Sequence, residues 1–137
     1  MMAPRILETA LYADDLAAAR HFYEHVLGLE CYAVEEGRHV FFTCGDQMLL
    51  VFDPRATAQP RGTLPVPPHG ARGSGHICFR ASPSELDGWR RRLQSSAIAI
   101  EAEFEWPGGG RSLYTRDPAG NSVEFAEPRI WNLHNGL

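Results

Sequence analysis

The chain predicts an α+β fold of paired βαβββ units forming a curved mixed sheet, and three observations predict it. An order of strand, helix and three strands occurs twice; segments of the second copy echo the first, modestly per residue but in the same order; and a Pro- and Gly-rich stretch, residues 55–74, lies between them. At 137 residues and 44% hydrophobic composition the chain is long and apolar enough to bury a core within a single domain. The expected bounds within that domain are 5–54 for the first unit, 55–74 for a linker loop, 75–128 for the second unit and 129–137 for a C-terminal tail.

Residues 6–13 are rich in apolar and aromatic side chains and predict a strand. Asp14 and Asp15 are helix N-caps, and Ala19, Phe22, Tyr23, Val26 and Leu27 fall on one face of the helix that follows, with Gly28 as its stop. Strands are expected at 30–34, 38–43 and 47–52, the last two joined by a short hairpin at Cys44-Gly45-Asp46. The 55–74 stretch, with Pro60, Pro65, Pro67, Pro68, Gly62, Gly70 and Gly73, is a linker or surface loop of a length often given to lids and binding loops. The second copy opens with a strand at 75–81. Ser82-Pro83-Ser84-Glu85 then has the form of a capping box, leading a helix whose apolar face carries Leu86, Trp89 and Leu93. Strands at 97–105, 111–116 and 121–126 complete it, the last pair joined by Asp117-Pro118-Ala119-Gly120. Arg38-His39-Val40-Phe41 answers Arg111-Ser112-Leu113-Tyr114, and the segment 47–54 answers 121–128.

Charge and composition narrow the function classes. A net charge of −4 with one basic run, Arg90-Arg91-Arg92 on a helix and read as a solvated face, gives no footprint for nucleic acid. No apolar run approaches the length of a membrane span. Met1, Met2, Ala3 and Pro4 lead directly into the first strand without the charged and apolar regions of a signal peptide. Cys31, Cys44 and Cys78 are odd in number and lack metal spacing, as expected of free thiols in the cytoplasm.

Residues two apart share a face of a strand. In the first strand Glu8, Ala10 and Tyr12 lie opposite Thr9, Leu11 and Ala13. In its counterpart His76, Cys78 and Arg80 lie opposite Ile77 and Phe79, and in the last strand Ser122, Glu124 and Ala126 lie opposite Val123 and Phe125. Alternation alone leaves Glu8 and Glu124 readable as solvent-facing carboxylates and His76 as a partly buried histidine. The duplication adds that Glu8 and His76 open equivalent strands while Glu124 lies on the strand that closes the second unit. Two carboxylates and an imidazole converging in one cleft suit a divalent metal.

Leu11-Tyr12-Ala13-Asp14-Asp15-Leu16 leading to Phe22-Tyr23-Glu24-His25-Val26-Leu27-Gly28-Leu29, with Gly75-His76-Ile77-Cys78-Phe79 and Asp117-Pro118-Ala119-Gly120-Asn121-Ser122-Val123-Glu124, resembles the vicinal oxygen chelate superfamily. The same group is called the glyoxalase/bleomycin-resistance/dioxygenase family. The resemblance covers nearly the whole chain and implies a glyoxalase-like fold with metal ligands from the first and last strands of each unit. Those ligands would be Glu8, where many members carry histidine or glutamine, His76 and Glu124. The fourth place falls to Leu50, which cannot bind metal and argues against a lactoylglutathione lyase site of four protein ligands. Glu8 also departs from the two-histidine, one-carboxylate set of extradiol dioxygenases and fosfomycin-resistance transferases. One neutral and two anionic ligands favour Mn²⁺, Fe²⁺ or Mg²⁺, with Zn²⁺ and Ni²⁺ also open.

The resemblance therefore implies a metal-dependent lyase, isomerase or transferase on a small oxygen-rich metabolite or xenobiotic. Glu8 and Glu124 would be its catalytic carboxylates, with Glu8 as ligand or base. The rival reading is a metal-free binding protein of bleomycin-resistance type, and a third is a dioxygenase. A homodimer is what the family implies. Tyr12, Arg111, Tyr114 and His39 are candidates for substrate contact, Arg111 as an anion binder. Cys78 reads as a buried, inert thiol and His69 as a solvated histidine that gains interest only if its loop folds over a cleft. Trp106-Pro107-Gly108-Gly109-Gly110 lacks the spacing of a phosphate-binding loop and reads as a flexible turn. Trp131 is expected to cover apolar surface, on this chain or on a partner.

Overall fold

The computed structural model describes residues 2–60 and 62–134. Met1, Arg61 of the linker and the last three positions of the expected tail, 135–137, lie outside them. The chain divides into two compact units, Met1–Gly73 and Ser74–Leu137.

The first unit runs β1 (Glu8–Tyr12), α1 (Leu16–Arg20), a π-helical stretch (His21–Val26), β2 (Glu30–Glu35), β3 (His39–Cys44), β4 (Gln47–Phe52) and the short α2 (Pro54–Thr57). Asp15 caps α1, accepting from the Ala18 N–H at 3.0 Å. The one continuous helix expected here changes pitch half-way, and the Leu27 N–H reaches back five residues to the Phe22 carbonyl. The apolar face survives the change. Ala19, Phe22, Tyr23, Val26 and Leu27 are all buried. Gly28, at φ +84°, ends the helix in the left-handed conformation that glycine adopts without strain.

The second unit repeats the plan with β5 (His76–Arg80), α3 (Pro83–Ser95), β6 (Ala102–Glu105), β7 (Arg111–Arg116), β8 (Ser122–Ala126) and a 3₁₀ turn (Pro128–Trp131). Both arms of the capping box form at α3: the Glu85 N–H donates to Ser82 Oγ and the Ser82 N–H to Glu85 Oε1. Leu86 and Leu93 are buried, and Trp89 stacks on Phe125 with ring centroids 4.5 Å apart. The basic run is more than a solvated face, because Arg90 pairs with Glu103 of β6 and Asp87 of its own helix. The strand expected from residue 97 begins only at Ala102. Ala97 takes φ +57° and the Ile98 N–H closes on the Leu93 carbonyl, so the first residues serve as the helix exit.

Each unit carries its own four-stranded mixed sheet, in the orders β1-β4-β3-β2 and β5-β8-β7-β6. The outer pair is parallel in each, β1 with β4 and β5 with β8, and the remaining pairs are antiparallel. The registers match the sequence echo. Ala10 faces Leu50 and Phe41 faces Leu50 in the first sheet, as Cys78 faces Glu124 and Tyr114 faces Glu124 in the second. Among the described residues no helix is long and apolar enough to cross a membrane.

The 3₁₀ turn that begins the tail packs on the turn before β7. Gly110 there has φ +92°, and a Cβ added to it would lie 2.5 Å from Ile130 Cγ2. Gly110→Ala is expected to destabilise the protein by about 2 kcal/mol, from backbone strain and steric overlap together. An unchanged thermal midpoint would refute that account.

Candidate functional site

The second sheet gathers the polar residues that alternation placed on one face. The register sets Cys78, Glu124 and Tyr114 side by side on β5, β8 and β7, with His76 one step along β5 on the same face. His76 Nε2 lies 3.2 Å from Glu124 Oε1, and His76 Nδ1 lies 3.2 Å from the Ser122 carbonyl oxygen. A carbonyl only accepts, so Nδ1 carries the proton and Nε2 is left to ligate or, when protonated, to donate. The other carboxylate oxygen, Oε2, accepts from the Ser112 hydroxyl at 2.6 Å, and Ser112 Oγ accepts from Trp106 Nε1–H at 2.8 Å. The Glu124 side chain is 7% exposed and that of His76 is 51%, so the pair sits at the boundary between sheet and solvent. Tyr114 stacks near His76 at 6.3 Å, and Phe104 lies parallel to Tyr114 at 5.9 Å.

Two weak acids beside Glu124 stay protonated at neutral pH. Burial, then the adjacent carboxylate, pushes the Tyr114 hydroxyl up to about 12. The same two causes in the same order push the Cys78 thiol up to about 12. Cys78 is exposed as a residue, contrary to the sequence reading, although packing around its sulfur keeps the thiol from ionising. Iodoacetamide at pH 8 is therefore expected to alkylate Cys78 at least roughly tenfold more slowly than glutathione, since the thiolate is the nucleophile. Glu124→Gln should speed that reaction. Peptide mass spectrometry checks both rates, and a fast wild-type rate would overturn the protonation argument.

Arg111 does not join this face. Its guanidinium is held by Asp87 at 3.3 Å and by the Pro83 carbonyl at 2.9 Å, both on α3, because positions 111 and 114 point to opposite sides of β7. The expectation that it meets substrate beside Tyr114 is corrected accordingly. Ser112 was not singled out from sequence as a site residue, and Trp106 was read only as the start of a flexible turn. Ser112 stands two residues before Tyr114, so strand alternation alone was enough to find it.

In the first unit Glu8 opens β1 and is exposed. The positions that answer Cys78, Ser112, Tyr114 and Glu124 are Ala10, His39, Phe41 and Leu50. His39 stacks on Phe41 with centroids 3.8 Å apart, and Leu50 is buried. The 55–74 loop folds back onto this sheet. His69 Nδ1 lies 2.7 Å from Tyr12 Oη, and the imidazole meets Phe52 edge-on at 4.8 Å. His69 is thus tied to Tyr12 of β1 rather than left to solvent alone.

Among the described residues neither unit by itself assembles three His, Cys, Asp or Glu side chains around a metal position. The second unit supplies a pair that suits a divalent cation, one imidazole nitrogen and one carboxylate oxygen, each fixed through its far atom.

Residues 5–125 match the family model described as Glyoxalase/Bleomycin resistance protein/Dioxygenase superfamily. A solved lactoylglutathione lyase from Agrobacterium tumefaciens is 48% identical, with a TM-score of 0.91 over 96% of this chain and 98% of that one. The virulence protein STM3117 of Salmonella typhimurium is 28% identical over 130 residues, 93% of this chain and 86% of the relative. A glyoxalase/bleomycin resistance protein/dioxygenase from Nocardioides, 24% identical with a TM-score of 0.73, covers 93% of this chain and 85% of its own and shares the fold. With a family model spanning most of its length and a close structural relative along nearly all of it, the chain belongs to the Glyoxalase/Bleomycin resistance protein/Dioxygenase superfamily.

Proposed function

We propose that the protein is a divalent-metal-dependent lyase acting on a small oxygen-bearing substrate. The observation that carries this reading is the anchored pair: His76 Nε2 and Glu124 Oε1 stand 3.2 Å apart, with Nδ1 held by Ser122 and Oε2 by Ser112. A divalent ion held there would act as a Lewis acid towards substrate oxygens. His76 presents Nε2 because Nδ1–H is spent on a carbonyl. Ser112, itself oriented by Trp106, fixes the carboxylate plane of Glu124. Tyr114, still protonated at neutral pH, is a hydrogen-bond donor for a substrate oxygen that gains negative charge. Glu8 is proposed as third ligand or as the base that takes a substrate proton; its exposure suits the second role.

The relative named lactoylglutathione lyase supports the lyase class. Its substrate is not carried over, because Leu50 occupies the position that answers Glu124 and leaves three protein ligands at most. Exposed Ile6, Leu7 and Trp131 support a homodimer, and three free cysteines support a reducing compartment. The apolar face around Leu50 and Phe41 favours a second reading, a metal-free protein that sequesters a small molecule. Elemental analysis separates the two. Protein purified without chelator should carry about one divalent ion per chain, and His76→Ala should lose it. Wild-type protein devoid of metal, binding a small molecule at full affinity, would establish the second reading.

A further inference from the structure

The face of the first sheet that answers the His76–Glu124 face is a groove of about 530 Å³, within the range of small-molecule sites. Its floor is Phe41, Leu50, Phe52 and Met48, and Tyr32 and Val66 rise beside it. Glu8, Arg38 and His69 supply its polar lining. Glu8 pairs with Met48 in the β1–β4 register, whereas the Arg38 guanidinium lies over the Phe52 ring at 5.4 Å. Four steps of extended strand lead from Met48 to Phe52, so the two charges stand at opposite ends of a trough about 13 Å long.

The duplication provides an internal control for Arg38. Its counterpart, Arg111, is bound to Asp87 and to the Pro83 carbonyl and serves the packing of α3. Arg38 has no carboxylate partner among the described residues; its guanidinium lies 2.6 Å from His39 Nδ1 and rests on an aromatic ring. A half-buried guanidinium over an aromatic floor, without an acid of its own, retains N–H donors that an anion can satisfy.

We infer that this groove binds a planar, apolar carboxylate, with its acid group on Arg38 and its body on Phe41 and Leu50. The opposite end of the ligand then lies towards Glu8. That orientation rests on the role proposed above for Glu8, but the binding does not. A groove lined by aromatic rings and aliphatic side chains favours a thin, apolar, planar body, and a single guanidinium at one end favours one anionic group.

The test uses the full-length protein after dialysis against chelator, titrated calorimetrically with 2-naphthylacetate and with its neutral match, 2-naphthylacetamide. The acid is expected to bind about tenfold more tightly than the amide, as a charge-assisted hydrogen bond allows. Arg38→Gln should bring the two affinities together. Phe41→Ala should weaken both by up to roughly tenfold and leave their ratio unchanged. Unchanged circular dichroism and thermal midpoint of Arg38→Gln guard against misfolding. Equal affinities in the wild type, a ratio that survives Arg38→Gln, or no binding of either compound would overturn the inference. Self-association weakened by Phe41→Ala, with neither compound bound, would assign the groove to a second copy of the chain and overturn it as well. Loss of the metal reading with Arg38-dependent binding intact would leave this inference standing. Metal uptake through His76 without preference for the acid would do the reverse.

Discussion

Glu124→Gln is expected to weaken binding of Mn²⁺ or Zn²⁺ by more than about 100-fold, beyond the roughly 10- to 100-fold typical of losing a supporting outer contact. The substitution keeps the size of the side chain and an oxygen that can accept from Ser112, so the fold should hold. What it removes is the negative charge and one donor oxygen. Glu124 is the carboxylate of the anchored pair, buried beside Cys78 and Tyr114. Ser112→Ala isolates the supporting contact by freeing Oε2 from its 2.6 Å bond, and its effect should fall between wild type and Glu124→Gln. Competition with a chelating dye gives the affinities and a thermal melt gives the stability. Wild-type affinity in Glu124→Gln would remove this carboxylate from the metal reading.

Asn121→Ala is expected to cost about 3 kcal/mol, or roughly 10 °C in Tm, the largest stability effect foreseen for a polar residue here. Asn121 is 2% exposed. Its Oδ1 accepts from the Gly75 N–H at 2.7 Å, and its Nδ2 donates to Asp117 Oδ2 at 2.9 Å. Asp117 Oδ1 in turn accepts from the backbone N–H groups of Ala119 and Asn121, both at 2.9 Å. Alanine would remove the acceptor of the Gly75 N–H and a donor to the buried Asp117 carboxylate, which costs more than losing a solvated contact. The clamp also fixes the start of β5 against the start of β8, so that His76 meets Ser122 and lies beside Glu124. The variant should therefore bind metal more weakly at temperatures where it is still folded. Undiminished stability would show that the parallel β5–β8 pairing sets its register without Asn121.

The fold was largely legible because both periods and the duplication pointed the same way. Phe22, Tyr23, Val26 and Leu27 are buried as the helical spacing requires, and the echoes of Arg38–Phe41 with Arg111–Tyr114 became equal registers. The π-helical pitch was not legible, since the same apolar residues satisfy either winding. The late start of β6 escaped because Ala97 adopts a left-handed conformation that its side chain does not announce. At the site, alternation placed His76 and Glu124 on one face. It also gave the means to exclude Arg111, an odd number of residues from Tyr114, and to include Ser112, an even number away. The return of His69 to Tyr12 is a contact across 57 positions, closed by a loop without periodicity, and local pattern does not encode such a closure.

Because the strand quartet occurs twice with matching register, each position on one sheet has a defined counterpart on the other. Histidine at position 8 and glutamate at position 50 would write into the first unit the letters that the second spells at 76 and 124. The Ser112 support would have to be supplied by redesigning position 39, where His39 now stands on Phe41. One backbone plan thus carries apolar side chains in the first unit where the second carries an acid and its hydroxyl support.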